Sequence, residues 1–252
     1  MKQVLVLVVA GLFSCRSIPS ETAGEASALD SNPQIAEQAA EPSPSVLDPK
    51  LNARFLGEEV DVPRFVGTFE GESREISVHH QAIVDALLID VGTTVADVGA
   101  GTGLFLESLS EAVGPSGQVV ALDVSEAFVD HMTERVEKNA LENVEVQLSE
   151  LRSAGLEPNS VDLALVCDVY HHFDHPQDML ASLASGIRPG GRLAVVDFHR
   201  IPGVSSEWIL GHVRASKEVF VQEIMDAGFV PIEDIDLPGL EENYIVVFRL
   251  PQ

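Results

Sequence analysis

Basic side chains are scarce in this chain: 15 lysines and arginines stand against 40 aspartates and glutamates, a formal net charge of −25. A phosphate backbone needs cationic neutralisation, so this balance argues against a nucleic-acid partner. The surplus of carboxylates reads as a solubility feature. Cysteine is nearly absent too. Only Cys15 and Cys167 are present, so if Cys15 is otherwise engaged, neither a disulfide framework nor a cysteine-rich metal centre is available. The apolar run from Val4 to Phe13 falls well short of the ~20 residues that a spanning helix requires. Internal repeats are missing as well, which removes solenoids and propellers.

What is present begins with the first fifteen residues, MKQVLVLVVAGLFSC, in which a basic Lys2 precedes the short apolar run and small Ser14 precedes Cys15. This resembles a secretory signal, and Leu12-Phe13-Ser14-Cys15 resembles the lipobox of bacterial lipoproteins, whose cysteine is acylated. The resemblance implies lipidation at Cys15 and attachment to the bacterial cell envelope, on its periplasmic side, through the lipid alone. A soluble secreted form is the alternative. Residues 16–50 then shift to Ser, Pro, Ala and Glu with almost no large apolar side chains. Such a segment cannot bury a core and is expected to be a disordered tether.

Residues 95–105, VADVGAGTGLF, carry the strongest signal. Val95, Ala96 and Val98 suit a buried strand, Asp97 stands at its exit, and Gly99, Gly101 and Gly103 permit a tight turn and close approach of a ligand. Twenty residues beyond Gly103, the apolar run Val119 to Leu122 ends in Asp123, where an acid could accept the hydroxyls of a ribose. A dinucleotide fingerprint is G-x-G-x-x-G, but its third glycine position is here Leu104. A pyrophosphate is thereby disfavoured, and a nucleoside cofactor without phosphates becomes more attractive. The loop resembles motif I of the class I S-adenosylmethionine-dependent methyltransferases. That resemblance implies that Asp97, Gly99, Ala100, Gly101 and Gly103 hold the amino-acid part of S-adenosyl-L-methionine, that Asp123 and Val124 hold its ribose, and that Asp168 lies at the same site.

From about Ile76 onward, helical and strand-like segments alternate, the mark of a parallel sheet covered on both faces. Ile76, His80, Ile83, Val84, Leu87 and Leu88 share one helical face. Strands are expected at Val144 to Leu148, Val161 to Cys167, Gly191 to Asp197, Val230 to Ile235 and Tyr244 to Leu250, besides the two that end in Asp97 and Asp123. Helices are expected at Leu104 to Ala112, from an N-cap at Ser125 to about Asn139, and around Ser216 to Ala227. Seven strands of this kind match an α/β, Rossmann-like, mostly parallel sheet; that the last strand runs antiparallel is what the resemblance implies. Residues 74–252 are expected to form this domain. Residues 51–73, with Arg54, Phe55, Arg64, Phe65 and Phe69, are expected to cap its site.

Open parallel sheets bind ligands beyond the carboxyl ends of their strands. After the third strand comes Glu150, placed where relatives carry an acid for the adenine amino group; a solvated surface acid is the alternative. After the fourth comes Asp168-Val169-Tyr170-His171-His172-Phe173-Asp174-His175. Methyl transfer is an in-line displacement governed by positioning, with a base needed only where the acceptor must lose a proton. An imidazole suits that task, so His171 or His172 is expected to contact the acceptor or act as base, with Tyr170 shaping the pocket. His199 and His212 are secondary candidates, and Trp208 reads as a lid or core anchor. Adjacent turn positions do not converge as a helical H-x-x-x-H pair does, so no metal is expected.

Together these features point to a methyltransferase of small molecules that uses S-adenosyl-L-methionine. The alternative is a lipoprotein module that binds the nucleoside without turnover. An NAD(P)-dependent oxidoreductase is disfavoured by Leu104 and by the lack of a recognisable hydride-relay constellation.

Overall fold

The computed structural model describes residues 52–57, 60–72 and 74–252. The expected signal, lipidated Cys15 and tether lie outside the described residues. No helix among those described is long and apolar enough to cross a membrane.

Among the described residues, helices α1 (Val62–Phe69) and α2 (Glu75–Ala86) lead into the sheet. Helix α1 starts at Asp61, whose side chain accepts the Arg64 amide at 3.1 Å, and Pro63 occupies the first turn, where its missing N–H costs nothing. Helix α2 turns Ile76, Ile83 and Val84 inward. Leu88 was expected on that face but lies beyond the helix end, in a left-handed conformation (φ 47°) and exposed to solvent.

Strands and helices then alternate: β1 (Thr94–Val98), α3 (Leu106–Val113), β2 (Gln118–Asp123), α4 (Glu126–Asn139), β3 (Val144–Leu148), β4 (Val161–Cys167), a 3-10 turn (Tyr170–His172), α5 (Pro176–Gly186), β5 (Ile187–Phe198), α6 (Glu207–His212), α7 (Lys217–Asp226), β6 (Val230–Ile235) and β7 (Asn243–Arg249). The strand order is β3-β2-β1-β4-β5-β7-β6. Pairing is parallel from β3 to β5, and β7 runs antiparallel to both of its neighbours. β5 begins earlier than its apolar run suggested. Ile187 pairs with Val161, and a register shift between Val161 and Leu163 absorbs the Pro189-Gly190 kink.

Side-chain alternation divides the core between the two sheet faces. Ala96, Val98, Val120, Ala164 and Val166 pack with residues of α5 and α7 on one face. Val95, Val119, Leu163 and Leu165 pack with residues of α2 and α3 on the other. β1 lies at the point where the connections diverge, toward β2 on one side and β4 on the other, and a crevice opens there at the carboxyl ends.

Gly103 serves this packing. A Cβ there would lie 2.7 Å from Leu106 Cδ1 and 3.1 Å from Met132 Cγ, whereas one at Gly155 would meet nothing within 4 Å. Both glycines have positive φ, 83° and 71°, so the backbone strain of an alanine is similar at the two sites. Gly103→Ala should therefore cost about 1–3 kcal/mol more than Gly155→Ala in denaturant unfolding. Equal losses would remove the packing explanation.

Candidate active site

The glycine loop is tied down before any ligand arrives. The amides of Gly99 and Ala100 both donate to the Leu122 carbonyl, at 2.8 and 2.9 Å. Asp123, buried at the end of β2, accepts the Gly101 amide at 2.8 Å on one oxygen and the Ser125 amide at 2.9 Å on the other. Each carboxylate oxygen still has a lone pair for a ligand hydroxyl. Of the three glycines, Gly101 has the most room, since a Cβ there would meet Phe69 at 3.6 Å, against 2.6 Å to Val169 at Gly99.

Asp97 contrasts with its neighbour. It is fully buried, and its Oδ2 has no hydrogen-bond partner among the described residues. Burial, with a smaller contribution from the nearby Asp123 charge, pushes its carboxyl up to about 7. An acid left unpaired beside a glycine loop is suited to a cationic ligand.

Loop and strand ends form the floor of a cavity of about 610 Å³, and the residues before β1 form its opposite wall. There Phe55, Phe65 and Phe69 cluster with Phe128 of α4, with ring centroids 5.3–6.5 Å apart. Arg74 locks this wall to the sheet by donating to Asp168, the residue after β4. Asn243 donates to the other Asp168 oxygen. Burial nevertheless raises the Asp168 carboxyl to about 6, with Arg74 opposing the rise.

Histidines form the far end of the cavity. His171 is buried, and its Nδ1 lies 2.8 Å from Asp197 Oδ1, while its backbone amide donates to Asp197 Oδ2 at 3.1 Å. His172 Nδ1 lies 3.0 Å from Asn52 Oδ1, and Asn52 Nδ2 donates back to the His172 carbonyl at 2.8 Å. His212, from α6, brings its ring within 5.0 Å of both, and Trp208 stacks on it at 4.5 Å. Burial first, then neighbouring His171, lowers both His172 and His212, the latter to about 4.

A family model described as a methyltransferase domain matches residues 96–193, and a crystal structure of a SAM dependent methyltransferase from Aquifex aeolicus superposes with a TM-score of 0.66 at 28% identity, over 75% of this chain and 98% of that one. The fold is that of the class I methyltransferases. Among curated relatives, an arsenite methyltransferase of Halobacterium salinarum is 32% identical over 106 residues, 42% of this chain and 27% of that protein. A ubiquinone/menaquinone biosynthesis C-methyltransferase of Pseudomonas fluorescens is 29% identical over 113 residues, 44% of each chain. The chain thus spans less than half the length of the curated relatives it matches. These similarities support the S-adenosylmethionine-dependent superfamily and identify no substrate.

Within this methyltransferase fold, Asp97, Gly99, Ala100, Gly101, Asp123, Val124, Asp168, His171 and His172 all line one cavity. Gly103 does not, because it packs against α3 and α4. Glu150 is exposed and off the wall, which Ser149 and Leu151 form instead. Tyr170 points the other way: its ring is buried against Phe173 and Phe220, and its hydroxyl donates to Glu223 at 3.0 Å. His199 packs on Tyr244, away from the cavity. The expectation that neighbouring histidines fail to converge does not hold, because the 3-10 turn sets their rings 4.2 Å apart and α6 delivers a third. Asn52 carried no signal in the sequence.

Asp97 generates a pH prediction. Its folded value, about 7, lies above the 3.8 of an ordinary aspartate, so between those limits the folded state holds a proton that the unfolded chain releases. Stability from this group falls as pH rises from about 4 to about 7. Relative to wild type, Asp97→Asn should gain stability progressively across that window in thermal melts. A pH-independent difference would show that Asp97 titrates normally.

Proposed function

We propose that this protein transfers a methyl group from S-adenosyl-L-methionine to a small molecule. The observation that carries the reading is the paired acid site at the glycine loop. Asp123 stands at the end of β2 with its loop contacts made and lone pairs free, and Asp97 is buried with an oxygen unpartnered. The cofactor carries a sulfonium and an ammonium, and buried carboxylates beside an aromatic wall favour such cations. The acceptor then occupies the histidine end, with Phe55 and Trp208 flanking it. Methyl transfer needs the acceptor in line with the methyl–sulfur bond, which a cavity with cofactor and acceptor at opposite ends can supply. Asp97, Gly99, Ala100, Gly101, Asp123, Val124 and Asp168 are assigned to the cofactor, and His171 and His172 to the acceptor.

We also propose that Cys15 is acylated and tethers this domain to the bacterial envelope. Metabolic labelling with a palmitate analogue should mark the wild-type chain and not Cys15→Ala; equal labelling would rule the anchor out.

Calorimetry on the full chain should show binding of S-adenosylmethionine and S-adenosylhomocysteine with no response to NAD. Tight NAD binding without either sulfur nucleoside would sink the reading. Gly101→Val should reduce cofactor affinity at least tenfold while the protein stays folded, because φ there is 57° and the added side chain enters the cavity. Label passing from the cofactor methyl into a small-molecule extract separates turnover from a binding module, which would bind without transfer.

A further inference from the structure

One ring nitrogen from each of His171, His172 and His212 lies within 4.8 Å of those of the other two, and all three residues line the cavity. A single general base would account for one imidazole, and three converging imidazoles need another explanation. The hydrogen bonds around them specify their tautomers. Asp197 is an acceptor, so His171 carries its proton on Nδ1. Asn52 uses its NH₂ group on the His172 carbonyl, which leaves its Oδ1 to accept from His172 Nδ1–H. Both rings therefore offer an Nε2 lone pair. The Nε2 of His171 is buried with no partner among the described residues. Ring nitrogens gathered this closely favour a cation or a hydrogen-bond donor between them.

We propose that His171, His172 and His212 form a binding site for one divalent transition-metal ion of the zinc type, with its open coordination position facing the acceptor half of the cavity. Three imidazoles with one open position form the arrangement of a metal that engages substrate, and a fully closed ligand set is the structural kind. A tetrahedral zinc holds its nitrogens at ~2.0–2.1 Å and so roughly 3.4 Å from one another, which here requires shifts of about 1 Å. His212 can supply most of this shift, since its ring is held by contacts with Trp208, His171 and His172 and by no hydrogen bond among the described residues. Asp197 behind His171 and Asn52 behind His172 supply the outer hydrogen bonds that orient metal-bound histidines. The ligand drawn to the open position would carry an oxygen donor, such as a hydroxyl or carboxylate. The metal site stands without methyl transfer, and only the role of its open position rests on the reading above.

Full-length protein, stripped with a chelator, should take up one Zn²⁺ per chain in calorimetry. Co²⁺ should give the intense visible bands of a four-coordinate site with nitrogen ligands. His212→Ala, at a half-buried position on a short surface helix, and His172→Gln should each weaken uptake at least tenfold. Asp197→Asn, which keeps the side chain's shape but replaces the carboxylate that orients the His171 ring and accepts the His171 and Phe198 amides, should weaken it by 10–100-fold. S-adenosylhomocysteine affinity and thermal midpoint, followed in the same variants, show that the domain and its cofactor half persist. No uptake by wild type, or uptake of equal affinity in His212→Ala and His172→Gln, overturns the proposal. A failure of cofactor binding with metal uptake intact would count against the methyltransferase reading alone.

Discussion

The constraint on which the rest of this structure depends is the burial of four carboxylates along one edge of the sheet. Asp97, Asp123 and Asp197 end β1, β2 and β5 or stand one residue short of the end, Asp168 follows β4, and all four are buried. An isolated buried carboxylate is costly, so each must be paired, hydrogen-bonded or protonated. Three find partners in different ways. Asp123 takes backbone amides and thereby shapes the glycine loop. Asp168 takes Arg74 and Asn243, while Asp197 takes the ring and amide of His171. Asp97 alone has a bare oxygen and responds by holding its proton to about neutrality.

These pairings explain how the cap is attached. The wall before β1 meets the sheet through polar contacts as much as through its phenylalanines. Arg74 reaches Asp168, Asn52 brackets His172, and Glu75 accepts three successive amides from Glu241 to Asn243 at 2.7–2.9 Å. Arg135 joins the cap at Glu70, helix α3 at Glu107 and the loop at the Thr102 carbonyl. Because several of these partners line the cavity, the cap and the cavity floor are joined by shared polar contacts. Charge-assisted hydrogen bonds of this kind are about twice as strong as neutral ones, and losing one partner of a buried pair is severe.

The sheet was legible because central parallel strands buried on both faces read as apolar runs, as Val161–Cys167 does, while the edge strand Val144–Leu148 alternates apolar and polar residues; both have the expected limits. The glycine-loop floor of the cavity was legible because glycines and strand-end acids are local signals. What was illegible depended on direction or distance. Tyr170 and His171 are neighbours, but a 3-10 turn rotates successive side chains by about 120°, so one enters the core against Phe220 and the other meets Asp197. Glu150 stands between the wall residues Ser149 and Leu151 and is itself exposed, a difference that no strand boundary read from composition resolves. His212 joins His172 from 40 residues away on a six-residue helix, and Asn52 joins it from 120 residues away. Neither separation leaves a motif.

The two ends of the cavity differ in the charge they can accept. At the glycine-loop end, Asp97 and Asp123 are acids whose ionised forms burial disfavours, and a bound cation would offset that desolvation. At the other end His172 and His212 are bases that burial keeps unprotonated, and their lone pairs call for a Lewis acid or a hydrogen-bond donor. Burial has opposite consequences for the two residue types, but both ends are left electron-rich and deficient in positive charge. A sulfonium cofactor would supply that charge at one end and a metal ion at the other. An acceptor held between them would need no positive group of its own, and an oxygen donor would be the chemistry this arrangement orients best.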